Sequence, residues 1–132
     1  MKYMLDTNIC VFMLNRNSNV LRRFHDAQSD GVCISSITLA ELEYGVAKSV
    51  RKKFNVVNLA AFIALVEVLP FDISDTSIYG DLSASLERSG NVISSLDMLI
   101  AAHAKSSDLT LVTNNTREFE RIDGLRLEDW LA

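Results

Sequence analysis

Lys2-Tyr3-Met4-Leu5-Asp6-Thr7-Asn8 is a short apolar run that ends at an acid and passes directly into a segment with helical spacing. The run Lys2–Leu5 predicts a buried strand, and Asn8–Asn15 predicts a helix. The same change from an apolar run to helical spacing follows Val32–Ser36 and Leu109–Thr113. Strands that alternate with helices need crossover connections, so the pattern predicts an α/β fold with a mainly parallel sheet.

The other segments of the chain continue this alternation. Helical spacing predicts a short helix at Val20–Phe24 and further helices at Leu39–Ala47, Phe54–Leu65, Ser74–Glu87, Leu96–Ala104 and Arg117–Arg121. A strand is predicted at Val66–Phe71 despite Pro70, and an edge strand at Leu125–Leu127.

Composition sets limits on the class of protein. The 132 residues are 48% apolar and 23% charged, which predicts one soluble domain over residues 1–132. The longest apolar run, Leu59–Val66, is too short to cross a membrane. Cys10 and Cys33 both have apolar neighbours, which favours buried, reduced thiols and a cytoplasmic location. The net charge of −4 means that any nucleic-acid binding needs local basic patches.

Acidic residues recur where predicted strands pass into helices. They are Asp6 after the first strand, Glu41 in the first turn after Val32–Ser36, Asp97 at a helix start and Glu118 after the strand that ends at Thr113. Parallel sheets bind ligands at the carboxyl ends of their strands, so neighbouring strands would bring these acids together. Mg²⁺ prefers such oxygen ligands, can acidify a bound water and can neutralise charge on a phosphodiester.

A purely structural interpretation of these acids stays open at this point. Thr38 and Glu41, Ser94 and Asp97, and Asn115 and Glu118 all have the spacing of a helix capping box. Asp6 can likewise cap the helix that follows it. An unpartnered carboxylate at the end of a buried strand is costly, however, so Asp6 is the acid that capping explains least well.

Four motifs together resemble the PIN-domain toxins of the VapC family. They are Met4-Leu5-Asp6-Thr7-Asn8, Ile34-Ser35-Ser36-Ile37-Thr38-Leu39-Ala40-Glu41-Leu42, Asp97-Met98-Leu99-Ile100-Ala101-Ala102-His103-Ala104 and Leu111-Val112-Thr113-Asn114-Asn115-Thr116-Arg117-Glu118-Phe119. The similarity extends to Glu128-Asp129-Trp130 and so covers essentially the whole chain. The resemblance implies a three-layer α/β/α sandwich and a Mg²⁺- or Mn²⁺-dependent endoribonuclease that cleaves transfer RNA, initiator transfer RNA included, and inhibits translation. It also implies a cognate VapB-type antitoxin and a homodimer.

Residue by residue, the resemblance assigns the metal to Asp6 and Asp97 and makes Glu41 the third catalytic acid. At the fourth position this chain has Asn115 where many PIN domains have aspartate, and relatives with the same motif use the acid equivalent to Glu118. We expect Glu41 and Glu118 to act through water. Hydrogen bonds that orient the carboxylates are expected from Thr7, Asn8, Thr113 and Asn115. The approach Gly90-Asn91-Val92-Ile93-Ser94-Ser95 departs from the Gly-rich segment of related toxins.

Cations and apolar segments indicate the binding surfaces. Candidates for RNA phosphate contacts are Arg22, Arg23, Lys48, Arg51, Lys52, Lys53, Arg117 and Arg121, and Arg117 is the strongest because it lies beside the acids. His103 lies on an apolar helical stripe, which favours a packed histidine over a general base. Phe54–Val66 is the segment that we expect an antitoxin helix to contact.

Two other classes of protein are weighed against the ribonuclease. A catalytically inactive PIN-fold binding module would be expected to lack a carboxylate, but Asp6, Glu41 and Asp97 are all present. An aspartyl-phosphate protein needs a further signal, either a second aspartate two residues after the first or a well-placed Lys after a late strand. Asn8 stands where the second aspartate would be.

Overall fold

The computed structural model describes residues 1–132 and contains a five-stranded sheet in which every pairing is parallel. The strands are β1 (Tyr3–Leu5), β2 (Val32–Ser35), β3 (Glu67–Leu69), β4 (Thr110–Val112) and β5 (Leu127–Glu128), in the order β3-β2-β1-β4-β5. The predicted parallel α/β sheet is therefore confirmed.

Strand β1 is the centre of the sheet and joins the two halves of the chain. Tyr3 is in register with Val32 of β2 on one side and with Thr110 of β4 on the other. All five strands point the same way, so their carboxyl ends form one edge of the sheet. Asp6 and Thr113 directly follow β1 and β4 at that edge.

The helices occupy the connections between strands. They are α1 (Thr7–Leu14), α2 (Ser18–Ala27), α3 (Ser36–Ala47), α4 (Lys52–Ile63), α5 (Ile73–Arg88), α6 (Ser95–Ser106) and α7 (Thr116–Phe119). None of them is long and apolar enough to cross a membrane.

The sheet separates two apolar cores, as alternating side chains along a strand require. Tyr3 and Leu5 of β1 face a core that is shared with α1 to α4. Met4, between them, faces a second core that is shared with α5, α6 and α7. Helices thus cover both faces of the sheet, which confirms the three-layer sandwich. Cys10 and Cys33 are buried free thiols, as predicted.

Helix α3 begins earlier than the sequence suggested. Its N-cap is Ser35, the last residue of β2, and the Ser35 hydroxyl accepts a hydrogen bond from the N–H of Ile37 at 3.1 Å. Glu41 therefore lies in the second helical turn, and its predicted place in the first turn is wrong. The capping box of Thr38 with Glu41 is wrong for the same reason.

The other differences concern the ends of elements. Strand β3 stops at Leu69, because Pro70 has no N–H to donate to a neighbouring strand. Helix α7 spans Thr116–Phe119 instead of Arg117–Arg121, and β5 lies slightly later than predicted.

Candidate active site

Asp6 combines a buried position with negatively charged neighbours. It caps α1 by accepting a hydrogen bond from the N–H of Ile9 at 2.9 Å, and only 4% of the residue is exposed. The pKa of Asp6 is raised to about 6: burial is the main cause, hydrogen bonds with Thr113 and Ile9 oppose the shift, and the charges of Asp97 and Glu41 add to it. Capping explains one oxygen of Asp6 but not its acidic surroundings.

Glu41 projects from the second turn of α3 and is held by the first residue of α1. The Thr7 hydroxyl donates a hydrogen bond to the Glu41 carboxylate at 2.5 Å. Thr7 also lies 3.4 Å from the hydroxyl oxygen of Thr38, measured from Oγ1 to Oγ1. The predicted role of Thr7 in orienting a carboxylate therefore has a direct counterpart in this contact.

Asp97 lies in the first turn of α6 and is partly exposed. The Ser94 hydroxyl donates a hydrogen bond to its carboxylate at 2.9 Å. Burial raises the pKa of Asp97 above its usual value, the Ser94 bond lowers it, and the charge of Glu118 raises it. Ser94 makes no side-chain bond to a helix N–H, so the pair fixes Asp97 and does not form a capping box.

Glu118 and Asn115, the candidates for the fourth position, are hydrogen-bonded to each other. The side-chain amide of Asn115 donates a hydrogen bond to the Glu118 carboxylate at 2.5 Å, and the N–H of Asn115 donates to the Thr113 hydroxyl at 3.0 Å. Asn115 therefore contacts the Glu118 carboxylate, and Thr113 contacts that of Asp6.

An open cleft of about 390 Å³ connects the acids from both halves of the chain. Its lining is almost entirely polar and consists of Asp6, Thr7, Asn8, Glu41, Ser94, Ser95, Leu96 and Asp97. Glu118 lies outside this lining, although its charge reaches Asp97. Three of the four predicted acids thus share one cleft at the carboxyl edge of the sheet.

Comparison with known proteins agrees with this geometry. Residues 3–125 match the PIN domain. The chain is 45% identical over 131 residues to the tRNA(fMet)-specific endonuclease VapC of Shigella flexneri, with 98% of each chain covered, and 45% identical over 132 residues to ribonuclease VapC2 of Rickettsia felis, again with 98% of each covered. The chain belongs to the VapC family of PIN-domain ribonucleases.

The fold also superimposes on solved VapC structures. In the crystal structure of VapBC2 from Rickettsia felis bound to a DNA fragment from their promoter, the matching chain is 43% identical. The TM-score is 0.95, with 98% of this chain and 99% of that chain covered. The five-stranded parallel sheet and its two helical layers are thus those of a VapC protein.

PIN-domain ribonucleases generally depend on a divalent metal, and the residues of this cleft fit one. No three His, Cys, Asp or Glu side chains lie close enough to hold an ion among themselves. Mg²⁺ does not require three, because it commonly takes one or two carboxylates and keeps several waters. Asp6 and Asp97 supply hard oxygen ligands, and the wide polar cleft leaves room for water and phosphate.

His103 is a buried part of the VapC scaffold and does not reach the cleft. Only 2% of it is exposed, its Nδ1 lies 2.9 Å from the Ser35 hydroxyl, and its Nε2 lies 3.8 Å from the carboxylate of Asp75. Burial lowers the pKa of His103, although Asp75 and Asp72 oppose the shift. The prediction of a packed, hydrogen-bonded histidine is confirmed.

Arg117 and Arg121 are both exposed and make no ion pair or hydrogen bond with a side chain. Neither lines the acidic cleft. Sequence reasoning missed the cleft residues Ser95 and Leu96, and it interpreted Ser94 as a helix cap. The spacing of Ser94 and Asp97 was the available signal, but it could not distinguish a backbone cap from a bond between the two side chains.

Proposed function

We propose that this VapC-family protein is a Mg²⁺-dependent endoribonuclease that cleaves transfer RNA, with initiator transfer RNA as the first candidate substrate, and thereby inhibits translation. The convergence of Asp6 and Asp97 on one polar cleft is the observation that carries the proposal. The Shigella relative, named as specific for tRNA(fMet), supports this substrate class.

In this proposal Asp6 and Asp97 hold the metal, and Mn²⁺ can replace Mg²⁺. A bound ion of this kind would lower the pKa of a water and neutralise charge that develops on the phosphodiester. Burial is the main cause of the raised pKa of Asp6, the charges of Asp97 and Glu41 add to it, and a bound cation would offset both effects. Ser94 and the N–H of Ile9 keep the two ligands in place.

Glu41 and Glu118 have the other catalytic roles. Glu41 lines the cleft and is fixed by Thr7, so it can hold the attacking water or accept its proton. Glu118 fills the fourth acidic position, because Asn115 donates its amide to that carboxylate and lacks a charge of its own. Asn8 is exposed at the cleft and can contact substrate. Arg117 and Arg121 are proposed phosphate contacts at its margin.

A VapB-type antitoxin and a second copy of the chain are the proposed partners. Solved relatives are VapBC complexes, which supports the antitoxin. Exposed apolar side chains on α4, Val57 among them, suit a docked antitoxin helix. The free thiols Cys10 and Cys33 support action in the reducing cytoplasm.

Cleavage of a transfer RNA pool by purified, antitoxin-free protein tests the proposal. We expect discrete fragments with Mg²⁺, none with EDTA, and none from Asp97→Asn. Asp81→Asn, which alters an exposed acid of α5, is the matched control and should cleave like the wild type. Cleavage that survives both EDTA and Asp97→Asn would overturn the assignment of the site.

A further inference from the structure

A second surface, at the turn between α3 and α4, has the opposite charge to the cleft. Residues 44–66 include four Lys or Arg and no Asp or Glu, in a chain whose net charge is −4. The basic elbow, as we name this surface, consists of Tyr44, Lys48, Arg51, Lys52, Lys53 and Phe54. All six residues are exposed.

The cations of the basic elbow are not neutralised within the protein. The ion pairs of the structure are Arg23 with Glu128, Arg126 with Asp108, and the contact of His103 with Asp75. None of them involves the basic elbow. Four unpaired positive charges within one short segment form a local site for a polyanion, whatever the total charge.

Two exposed aromatic rings lie among these charges. Tyr44 is 65% exposed and Phe54 is 53% exposed, so neither ring contributes fully to a core. The Lys48 ammonium lies 4.6 Å from the centroid of the Tyr44 ring, and the Arg51 guanidinium lies 4.2 Å from that of Phe54. Aromatic rings combined with cations are the composition of surfaces that stack bases and hold the phosphates of single-stranded nucleic acid.

The basic elbow begins on the helix face that carries Glu41 of the acidic cleft. Glu41, Tyr44 and Lys48 are spaced as one face of α3, and Lys48 lies roughly 10 Å along the helix axis from Glu41. A groove of about 200 Å³ has Glu41, Gly45 and Asn55 in its lining, and Asn55 directly follows Phe54 of the elbow, although no elbow residue lines the groove itself. A strand with one phosphate at the acids can therefore extend to the elbow.

We infer that the basic elbow is an RNA-anchoring subsite for the single-stranded segment next to the cleaved phosphate. Tyr44 and Phe54 stack on bases, and Lys48, Arg51, Lys52 and Lys53 contact phosphates. The inference rests on the proposed ribonuclease function. RNA is favoured over an acidic protein because bases use both exposed rings and because Tyr44 and Lys48 are spaced on the helix face that carries Glu41.

The test measures binding of a fluorescently labelled transfer RNA by anisotropy, in EDTA so that no cleavage occurs. Lys48→Gln with Arg51→Gln should weaken binding about tenfold at roughly 0.1 M salt. Loss of these contacts should also reduce the slope of log K against log salt by about 1.4, since each single-strand phosphate contact contributes about 0.7. The matched control, Lys2→Gln with Arg88→Gln, removes the same charge from exposed positions outside the elbow and should change affinity less than twofold.

A second pair of variants tests the rings separately from the charges. Tyr44→Ala should weaken binding about fivefold to tenfold with an unchanged salt slope, because stacking releases no counterions. Tyr44→Phe keeps the ring and should bind like the wild type. Tyr44 is exposed, so melting temperatures of both variants should match the wild type and separate lost binding from lost folding.

The outcomes distinguish the subsite from the enzyme. If the wild type cleaves transfer RNA and the elbow variants bind it like the control pair, the basic elbow is not an RNA site. If the elbow variants keep RNA affinity but no longer bind the co-expressed antitoxin, the surface is a protein interface, and the inference is overturned. If the wild type neither binds nor cleaves transfer RNA, both the ribonuclease proposal and the subsite fail.

Discussion

Asp6 and Asp75 are two aspartates with almost the same burial and different neighbours. They are 4% and 3% exposed, and each accepts a backbone N–H at a helix start, from Ile9 and from Asp72 respectively. Asp75 then faces the imidazole of His103. Asp6 instead faces Asp97 and Glu41, whose charges oppose its ionisation.

The comparison shows that burial alone does not identify a functional acid. The hydrogen bonds of Asp75 are those of a capping box that holds the start of α5. Asp6 has a similar cap, but it is surrounded by like charges and opens onto a polar cleft. A carboxylate held in a repulsive setting indicates a site that a cation completes, so the sign of the neighbouring charges is the informative property.

The largest expected effect is the loss of RNA cleavage when Asp6 is replaced. Asp6→Asn should reduce the rate of metal-dependent RNA cleavage about a thousandfold, because it removes a proposed metal ligand, a loss of roughly 4 kcal/mol of transition-state stabilisation. The rate is measured under single-turnover conditions with Mg²⁺, and Asp26→Asn, an exposed acid of α2, is the control. A rate within tenfold of the wild type would exclude Asp6 as a ligand.

The same substitution should stabilise the metal-free protein. The native state holds the Asp6 proton up to about pH 6, whereas an unfolded chain loses it near 3.8. The stability contributed by Asp6 is thus highest below pH 4 and falls as the pH rises to 6, by about 3 kcal/mol. Asp6→Asn should not lose stability in this way, because asparagine does not ionise. The free energy of unfolding is measured for both proteins by urea denaturation in EDTA from pH 4 to 7.

His103 makes the free energy of unfolding depend on pH with the opposite sign. The wild type and Asp6→Asn share this contribution. Burial lowers the pKa of His103 in the native state, so its contribution to stability is lost as the pH falls below the ordinary value of 6.5. The difference between wild type and Asp6→Asn therefore isolates Asp6. Equal free energies of unfolding for the two proteins at pH 4 and at pH 7 would show that the pKa of Asp6 is not raised in the native state.

The smallest effect should come from Asp75, and on stability alone. Asp75→Ala removes the acceptor for the N–H of Asp72 and the partner of His103, and should cost about 2 kcal/mol of folding free energy. Asp81→Ala, at an exposed position of the same helix, should cost less than about 0.5 kcal/mol. Thermal or urea unfolding measures both. A thousandfold loss of cleavage in folded Asp75→Ala would contradict a purely structural role for Asp75.

The sequence predicted the central strands of the sheet better than the ends of the helices. The apolar runs that form β1, β2 and β4 are buried on both faces of the sheet, so their pattern is strong, and the acid that follows β1 marks the edge where the cleft forms. The start of α3 was not predictable from spacing. It is set by the Ser35 hydroxyl, which also contacts His103 on a distant helix.

The assignment of the fourth acid and the position of β5 show the same limit of sequence-based prediction. The motif placed Asn115 and Glu118 together, but the hydrogen bond from the Asn115 amide to the Glu118 carboxylate depends on side-chain geometry. Strand β5 has only two residues and half-buried side chains, so it carries almost no periodic signal. Sequence patterns could not predict the contacts between residues that are far apart in the chain.

The strand order has a consequence for how the protein is made. Asp6 and Glu41 are synthesised early, whereas Asp97 and β4, the second neighbour of β1, come from the last third of the chain. A growing polypeptide on the ribosome therefore lacks a complete cleft until most of its length has emerged. Under the proposed function, stalled or truncated products would therefore be unable to cleave RNA, and only a finished chain could do so.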